Sequence, residues 1–311
     1  MPLSPSSPRI VFAGTPDAAV PSLRALLAAD ANVVGVVTRP DAPRGRKRVL
    51  TPSPVATAAE DAGLPVIRAH RLDDEATRRI AELDPELGVI VAYGGLVREP
   101  LLSAPRFGWI NLHFSLLPSW RGAAPVQHAL IAGDETLGAS VFQLTAELDA
   151  GDVFAEERYT PSERETAGDV LTALSDRGAR VLASTVAEIA AGTAEATPQS
   201  GSPSFAPKLT LADGMLDFSR PASEVLARFR GVTPEPGAHT TWDGARMKVH
   251  AAHATDAGAL DPGHVAPTDG GILVGTATEP ILINRLQPAG KGAMSAADWH
   301  RGLRDPAVFG S

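Results

Sequence analysis

The sequence predicts an α/β fold: a Rossmann-like, doubly wound parallel sheet domain followed by a small OB-like β-barrel domain. In residues 9–191, short β-branched apolar runs alternate with amphipathic helical patterns, which is typical of parallel sheets with helices on both faces. Residues 192–204 are rich in Ala, Thr, Pro, Ser and Gly, and beyond them short strands are separated by turn residues.

The first five predicted strands span residues 9–13, 33–37, 65–67, 87–92 and 109–113. Helical patterns occupy 20–27, 52–63 and 73–83, with further strands at 137–144 and 153–159 and a helix at 166–191. The C-terminal strands are predicted at 247–252, 264–266, 271–276 and 281–286. We therefore expect a disordered tail at 1–8, a catalytic domain at 9–191, a linker at 192–204 and a β-barrel at 205–311.

Composition excludes several classes of function. With 28 basic and 36 acidic residues the net charge is -8, which counts mildly against a strong nucleic-acid binder. The absence of cysteine excludes disulfides, thiol catalysis and cysteine-based metal sites. No His-x-x-x-His or similar ligand spacing appears on a plausible helix, so we expect no metal. No signal peptide or membrane-length apolar run is present, so we expect a cytoplasmic protein without membrane contact.

The nucleotide-binding motifs are also incomplete. Gly14-Thr15-Pro16-Asp17 has one of the three glycines that a dinucleotide fingerprint needs, so we expect no NAD. There is no Walker lysine, and ATP is not expected either. Ligands of doubly wound sheets lie beyond the carboxyl ends of the strands, where Gly14, the Tyr93-Gly94-Gly95 segment and His113 fall.

The most informative segment runs from residue 110 to 153. Asn111 and His113 share one face of a predicted strand, and Asp149 follows in a glycine-containing turn. An amide and an imidazole can polarise a carbonyl and hold an oxyanion, while a carboxylate can orient the imidazole and take up a proton. Each residue alone is more often a satisfied polar group or a turn residue, and Arg121 is interpreted as a surface turn residue.

The order of these motifs, Asn-x-His-x-Ser-Leu-Leu-Pro, then Arg-Gly, then Asp-x-Gly-Asp, resembles the signature of the folate-dependent formyltransferases. The resemblance implies 10-formyltetrahydrofolate as formyl donor and Asn111, His113 and Asp149 as the catalytic trio. It places Ser115, Leu116, Leu117 and Pro118 on the folate side, where we also expect Tyr93 and Gly94. Phe114 stands where the family usually has Gly or Ala.

A basic loop at 38–49 contains Arg39, Arg44, Arg46, Lys47 and Arg48. It is either a solvated loop or an arm that contacts phosphates. Its Thr-x-Pro-Asp-x-Pro-x-Gly-Arg pattern and the following Pro-Ser-Pro-Val resemble family members that act on methionyl-tRNA. The segment 286–295, with Lys291, resembles their C-terminal motif, although Glu235 replaces the Trp of a family Pro-Trp-Pro.

This second resemblance implies initiator methionyl-tRNA as a partner of a monomeric enzyme, contacted by Arg46, Lys47, Arg48 and Lys291. The expected reaction is formyl transfer to the α-amine of the methionyl group. Three alternatives stay open at this point: formylation of a nucleotide-linked amino sugar, hydrolysis of the formyl donor, and an RNA-binding or folate-binding protein with an inactive site.

Overall fold

A computed structural model describes residues 7–45 and 48–310 of the chain. Most of the expected N-terminal tail, 1–6, lies outside the described residues, as do Arg46 and Lys47 of the basic loop.

The elements follow each other along the chain as strands with intervening helices. Up to residue 191 they are β1 (Ile10–Gly14), α1 (Val20–Ala28), β2 (Val33–Thr38), β3 (Ala42–Arg44), β4 (Val49–Thr51), α2 (Pro54–Asp61), β5 (Val66–Arg68), α3 (Asp74–Ala81), β6 (Leu87–Val91), β7 (Trp109–His113), β8 (Arg121–Gly122), α4 (Pro125–Ala132), β9 (Leu137–Gln143), β10 (Val153–Tyr159) and α5 (Ala167–Ala191). After it come β11 (Phe205–Ala206), α6 (Ala222–Gly231), β12 (His239–Trp242), β13 (Ala245–Ala254), β14 (Val265–Thr268), β15 (Gly271–Val274), β16 (Ile281–Pro288), β17 (Met294–Ser295) and α7 (Ala296–Arg301).

The main sheet has seven strands in the order β10-β9-β7-β6-β1-β2-β5. The five strands from β7 to β5 are parallel, whereas β9 runs antiparallel to β7 and β10 antiparallel to β9. Every residue of the central strands β1 and β6 is buried, as expected for parallel strands covered on both faces. The strand order reverses beside β1, so the carboxyl edge there is the expected ligand position.

Local sequence explains how two of the helices begin. The Ser53 side chain accepts a hydrogen bond from the backbone N–H of Ala56, and Pro54 occupies the first turn of α2. The Asp73 carboxylate caps α3 in the same way through the N–H of Ala76. Both caps satisfy backbone donors that a helix start would otherwise leave without a partner.

The described chain divides into two compact units. The first takes in the described residues up to Ala123, together with Leu137–Tyr159 and Leu171–Phe205. The second takes in Ala124–Thr136, Thr160–Val170 and the described residues from Ala206 onward, so that α4 groups with the C-terminal strands.

The second unit is built on an antiparallel sheet in the order β12-β13-β16-β15-β14, with β17 paired to β16. Its core includes Phe229 of α6, Ile283 of β16 and Trp299 of α7. The expected class, a parallel α/β domain followed by a mainly antiparallel β domain, is confirmed. The helices α4, α6 and α7 were not predicted, nor were β12 and the short strands β3, β4, β8, β11 and β17.

None of the helices in the described part of the chain is both long and apolar enough to cross a membrane.

Candidate active site

Strand β7 carries two of the three predicted catalytic side chains. Asn111 lies opposite Ile90 of β6 and Phe142 of β9, and His113 lies opposite Ser140 of β9. Because side chains alternate along a strand, Asn111 and His113 lie on the same face, two residues apart, at the carboxyl end of β7. The sheet thus fixes Asn111 by pairing with a strand on each side and His113 by pairing with β9.

His113 is buried, with 6% of its surface exposed, and its two ring nitrogens have different neighbours. Nε2 lies 2.9 Å from the backbone oxygen of Trp120. A carbonyl only accepts hydrogen bonds, so Nε2 carries the proton and donates it. Nδ1 lies 3.9 Å from Asp149 Oδ2, which is too long for a hydrogen bond and close enough for a strong charge interaction.

Burial lowers the pKa of His113 below its ordinary value, and this effect outweighs the opposing influence of the Asp149 carboxylate and of the bond to Trp120. The imidazole is therefore neutral near pH 7. With the proton on Nε2, Nδ1 holds a lone pair beside a carboxylate. This arrangement suits a base, because a proton taken up at Nδ1 would produce an imidazolium stabilised by Asp149.

Asp149 is also buried, with 8% of its surface exposed. Its Oδ2 accepts a hydrogen bond of 2.8 Å from the backbone N–H of Gly122, which belongs to the Arg-Gly pair of the sequence motif. Asp149 and Trp120 both have left-handed backbone conformations, with φ of 47° and 61°. Two such residues around one histidine are typical of functional sites, where surrounding contacts maintain strained backbone.

Asn111 differs from its two partners in having no bonded neighbour. Its side chain is half-buried and makes no hydrogen bond to any residue that the structure describes. The amide N–H is therefore free to donate to an incoming oxygen. The structure brings the three predicted side chains into one region of the first unit, directly for His113 and Asp149 and through the common strand face for Asn111.

Ser140 fixes the loop that follows β7. Its Oγ donates to the backbone oxygen of Ser115 at 2.7 Å and accepts from the N–H of Leu117 at 3.2 Å. Leu117 is buried, whereas Leu116 and Pro118 are half-buried and partly accessible to a ligand. Phe114 is buried, with 7% of its surface exposed, so the unusual large residue at this position is accommodated in the interior.

The Tyr93-Gly94 segment follows β6 and is held by side chains of neighbouring strands. Tyr93 is 1% exposed, its hydroxyl donates to the backbone oxygen of Ala69 at 2.9 Å, and burial raises its pKa. Arg39 lies over the Tyr93 ring and donates to the backbone oxygens of His70 and Gly94. Gly94 is exposed with φ of 79°, so the accessible part of this segment is its backbone.

Arg39 therefore differs from the rest of the basic loop. It is half-buried, and its guanidinium binds carbonyls at the carboxyl edge of the sheet. The hairpin of β3 and β4 extends beyond it. There Arg48 is exposed with φ of 51°, and Val49 and Leu50 are 60% and 67% exposed. Arg46 and Lys47 lie outside the described residues.

The fourth residue expected to contact tRNA, Lys291, belongs to the second unit. It is exposed in the turn between β16 and β17.

The structure corrects the interpretation of Arg121 as a surface turn residue. Arg121 is 8% exposed, and its guanidinium bonds to Glu147 at 3.1 Å and to the side chain of Gln199 at 2.7 Å. The proximity of Arg121 to the motif could have suggested a role. No sequence signal pointed to Gln199, because it lies in the segment predicted as a linker.

Among the described residues, no group of three or more His, Asp or Glu side chains is arranged to hold a metal ion. The polar groups of the site are instead an amide donor, a neutral imidazole and a carboxylate, close to the loop that follows β7.

The sequence of the chain matches two protein-family models and many curated proteins. Residues 8–186 match the model of the formyl transferase family, and residues 208–304 match that of the formyl transferase C-terminal domain. A methionyl-tRNA formyltransferase of Leifsonia xyli subsp. xyli is 63% identical over 97% of this chain and 99% of its own length. A methionyl-tRNA formyltransferase of Clavibacter sepedonicus is 61% identical over 97% of this chain and 99% of its own length.

The chain belongs to the formyl transferase family.

Solved structures share the fold at much lower identity. The sugar 3N-formyl transferase WlaRD, crystallised with dTDP and 5-N-formyl-THF, has a TM-score of 0.68 at 14% identity, covering 92% of this chain and 99% of its own. HypX from Aquifex aeolicus has a TM-score of 0.66 at 16% identity, covering 95% of this chain and 50% of its own. At these identities the two structures support the fold alone.

Proposed function

We propose that this chain transfers the formyl group of 10-formyltetrahydrofolate to the α-amino group of methionyl-initiator tRNA. The observation that carries the proposal is near-complete alignment with enzymes named for this reaction, at 63% and 61% identity. The site supplies the chemistry that the reaction needs. An amide with no side-chain hydrogen bond to a described residue lies two residues from a buried neutral imidazole, and a carboxylate flanks that imidazole.

In the proposed reaction, the methionyl amine attacks the formyl carbon, forming a C–N bond as the carbonyl π electrons move to oxygen. The Asn111 amide donates a hydrogen bond to this oxyanion. The amine proton moves to His113 Nδ1, and Asp149 stabilises the imidazolium. Collapse of the intermediate breaks the bond to N10 of the folate. N10 receives the proton, leaving formylmethionyl-tRNA and tetrahydrofolate.

From the sequence, Asp149 was expected to orient His113 and to help take up the amine proton. We favour His113 as the immediate acceptor, because its Nδ1 carries a lone pair when Nε2 donates to Trp120, whereas Asp149 Oδ2 already accepts the Gly122 N–H. Asp149 then acts on the ring through its charge at 3.9 Å.

We place the folate between the loops that follow β6 and β7. Gly94 offers exposed backbone, Leu96 of the same loop is 63% exposed, and Leu116 and Pro118 are half-buried. An aromatic pterin ring fits such a site, which combines apolar surface with backbone polar groups. Tyr93 supports the loop from below, and Ser115 fixes the opposite loop through its Oγ, which donates to the backbone oxygen of Ser119.

The tRNA surface in this proposal includes the β3–β4 hairpin and the turn at Lys291. Exposed Arg48 and Lys291 can reach phosphates, and Arg46 and Lys47 directly precede Arg48 in the sequence. An excess of acidic residues over the whole chain does not prevent such local basic surfaces.

We also propose a catalytic domain at 9–191, a linker at 192–204 and a C-terminal tRNA-binding domain at 205–311.

A monomer in the cytoplasm is the form we propose, since a single chain carries the full trio and the reaction serves translation initiation.

The direct test is incubation of the purified chain with 10-formyltetrahydrofolate and methionyl-initiator tRNA, followed by deacylation and detection of N-formylmethionine. Parallel reactions replace the tRNA with a nucleotide-linked amino sugar or omit the acceptor. We expect formylmethionine and little free formate. Formylation of the sugar alone, or formate release that is independent of tRNA, would overturn the proposal in favour of a sugar enzyme or a hydrolase.

A further inference from the structure

The segment that leaves α5 contacts the loop of Asp149. Thr197 pairs with Val153, the first residue of β10, through two backbone hydrogen bonds of 2.8 and 2.9 Å. Two residues later, the Gln199 Nε2 donates to the backbone oxygens of Asp149 at 2.9 Å and Gly151 at 2.8 Å. Although much of this segment is exposed, it is therefore attached to the candidate active site.

The orientation of the Gln199 amide is defined by its surroundings. Two carbonyl oxygens face its Nε2, and a guanidinium nitrogen of Arg121 faces its Oε1 at 2.7 Å. Rotation of the amide by half a turn would place oxygen against oxygen and nitrogen against guanidinium. Arg121, itself buried and paired with Glu147, therefore fixes the direction in which Gln199 donates.

The opposite side of the Asp149 loop is fixed by close packing. A Cβ built on Gly151 would lie 1.8 Å from the backbone oxygen of Gln143, so the loop approaches β9 as closely as only glycine allows. The Gly122 N–H holds the Asp149 carboxylate. Gln199 restrains the loop further by donating hydrogen bonds to the backbone oxygens of Asp149 and Gly151.

The same segment also contacts the histidine side of the pair. Ser204 Oγ accepts a hydrogen bond of 2.9 Å from the N–H of Trp120, and the Ser204 backbone oxygen accepts one from Arg121. Trp120 has a left-handed backbone, and its oxygen binds His113 Nε2. The segment from Thr197 to Ser204 thus binds the backbone of Asp149 and the backbone of Trp120, whose oxygen accepts from His113.

From these contacts we propose that Gln199, oriented by Arg121, is a positioning residue that holds Asp149 beside His113 during formyl transfer. This inference rests on the proposed function, because transfer is the readout. Gln199 touches no reacting atom. Its effect comes from restraining two carbonyls of a loop whose carboxylate must lie at a set distance from the imidazole, and small displacements of catalytic groups cost large factors in rate.

The test compares Gln199→Ala with Ser200→Ala in the full chain. Ser200 is the exposed neighbour in the same segment, and its side chain makes no hydrogen bond to a described residue. We expect Gln199→Ala to lower kcat for methionyl-tRNA formylation by roughly 10- to 100-fold while KM for the formyl donor changes little. Ser200→Ala should stay close to wild type. Thermal unfolding of both variants measures any effect on the fold.

A double-mutant cycle separates positioning from a general structural role. If Gln199 acts through Asp149, then Gln199→Ala should have little further effect in an Asp149→Asn background, measured at high enzyme concentration. Equal losses in both backgrounds would overturn the inference, and so would a Gln199→Ala variant as active as Ser200→Ala. A wild-type chain that does not formylate methionyl-tRNA would instead count against the proposed function itself.

Discussion

Two regions of the first unit are built in opposite ways. The His113–Asp149 pair is buried, and backbone groups of Trp120 and Gly122 fix both side chains. The β3–β4 hairpin is exposed at Arg48, Val49 and Leu50 and pairs only with itself in the sheet assignment of the described residues. Chemistry needs fixed distances, whereas contact with a large, charged substrate needs accessible groups. We therefore propose that the buried pair sets the rate and that the hairpin recognises the tRNA.

The largest expected effect comes from Asn111, the proposed oxyanion donor. Asn111→Ala should lower kcat by about 10²- to 10³-fold, because one oxyanion donor is typically worth this much. Unfolding should hardly change, since the Asn111 side chain makes no hydrogen bond to a described residue. Steady-state formylation and thermal unfolding measure both quantities. Near-wild-type kcat would remove Asn111 from the mechanism.

A smaller effect is expected in the hairpin. Arg48→Ala should raise KM for methionyl-tRNA and reduce the slope of log affinity against log salt by about one unit, the change expected for a lost phosphate contact. KM for the formyl donor should not change. Arg46→Ala should have the same effect in the same measurement.

Arg106→Ala provides the matched control for the hairpin. Arg106 is exposed and precedes β7, at the amino edge of the sheet and so opposite the site. A salt slope altered equally by Arg106→Ala and Arg48→Ala would show that total charge, rather than the hairpin, governs tRNA binding.

The smallest effect concerns stability and pH. The pKa of His113 is lowered in the folded chain, so the unfolded chain binds a proton more readily in the window below about pH 6.5. The free energy of unfolding should therefore fall as pH drops from about 6.5 towards the lowered pKa, with a slope of at most about 1.4 kcal/mol per pH unit. Above this window His113 contributes no pH dependence.

Denaturant unfolding of wild type and His113→Gln between pH 5 and 8 measures this contribution, with the stability of the variant falling less steeply on acidification. Identical slopes in the two proteins would contradict a buried, neutral His113 in the folded state.

The sequence predicted the features of the site that depend on local patterns and missed those that depend on contacts between distant segments. Strand alternation placed Asn111 and His113 on one face, and the motif order brought in Asp149, because both signals are local patterns of residue type. The contacts of Gln199 depend on a segment returning to a loop 50 residues earlier in the chain, which no periodicity encodes. Arg121 was misread because a polar residue before glycine usually lies at the surface, whereas here Glu147 and Gln199 bind its guanidinium.

The fold shows a similar limit. Strands of the parallel sheet were predictable as short apolar runs, since buried central strands need them. Helix α6 was missed because its apolar positions are few and separated by charged residues, and only the sheet of the second unit gives Val225 and Phe229 a surface to cover.

The proposed separation of recognition in the hairpin from chemistry on β7 is tested most directly by single-turnover formylation. The enzyme is in large excess over methionyl-tRNA, and the formyl donor is saturating. Under these conditions tRNA binding no longer limits the rate. We predict that Arg48→Ala forms formylmethionyl-tRNA at the wild-type rate, whereas Asn111→Ala remains at least about 10²-fold slower. A slow Arg48→Ala at saturation, or a fast Asn111→Ala, would contradict the separation of recognition in the hairpin from chemistry on β7.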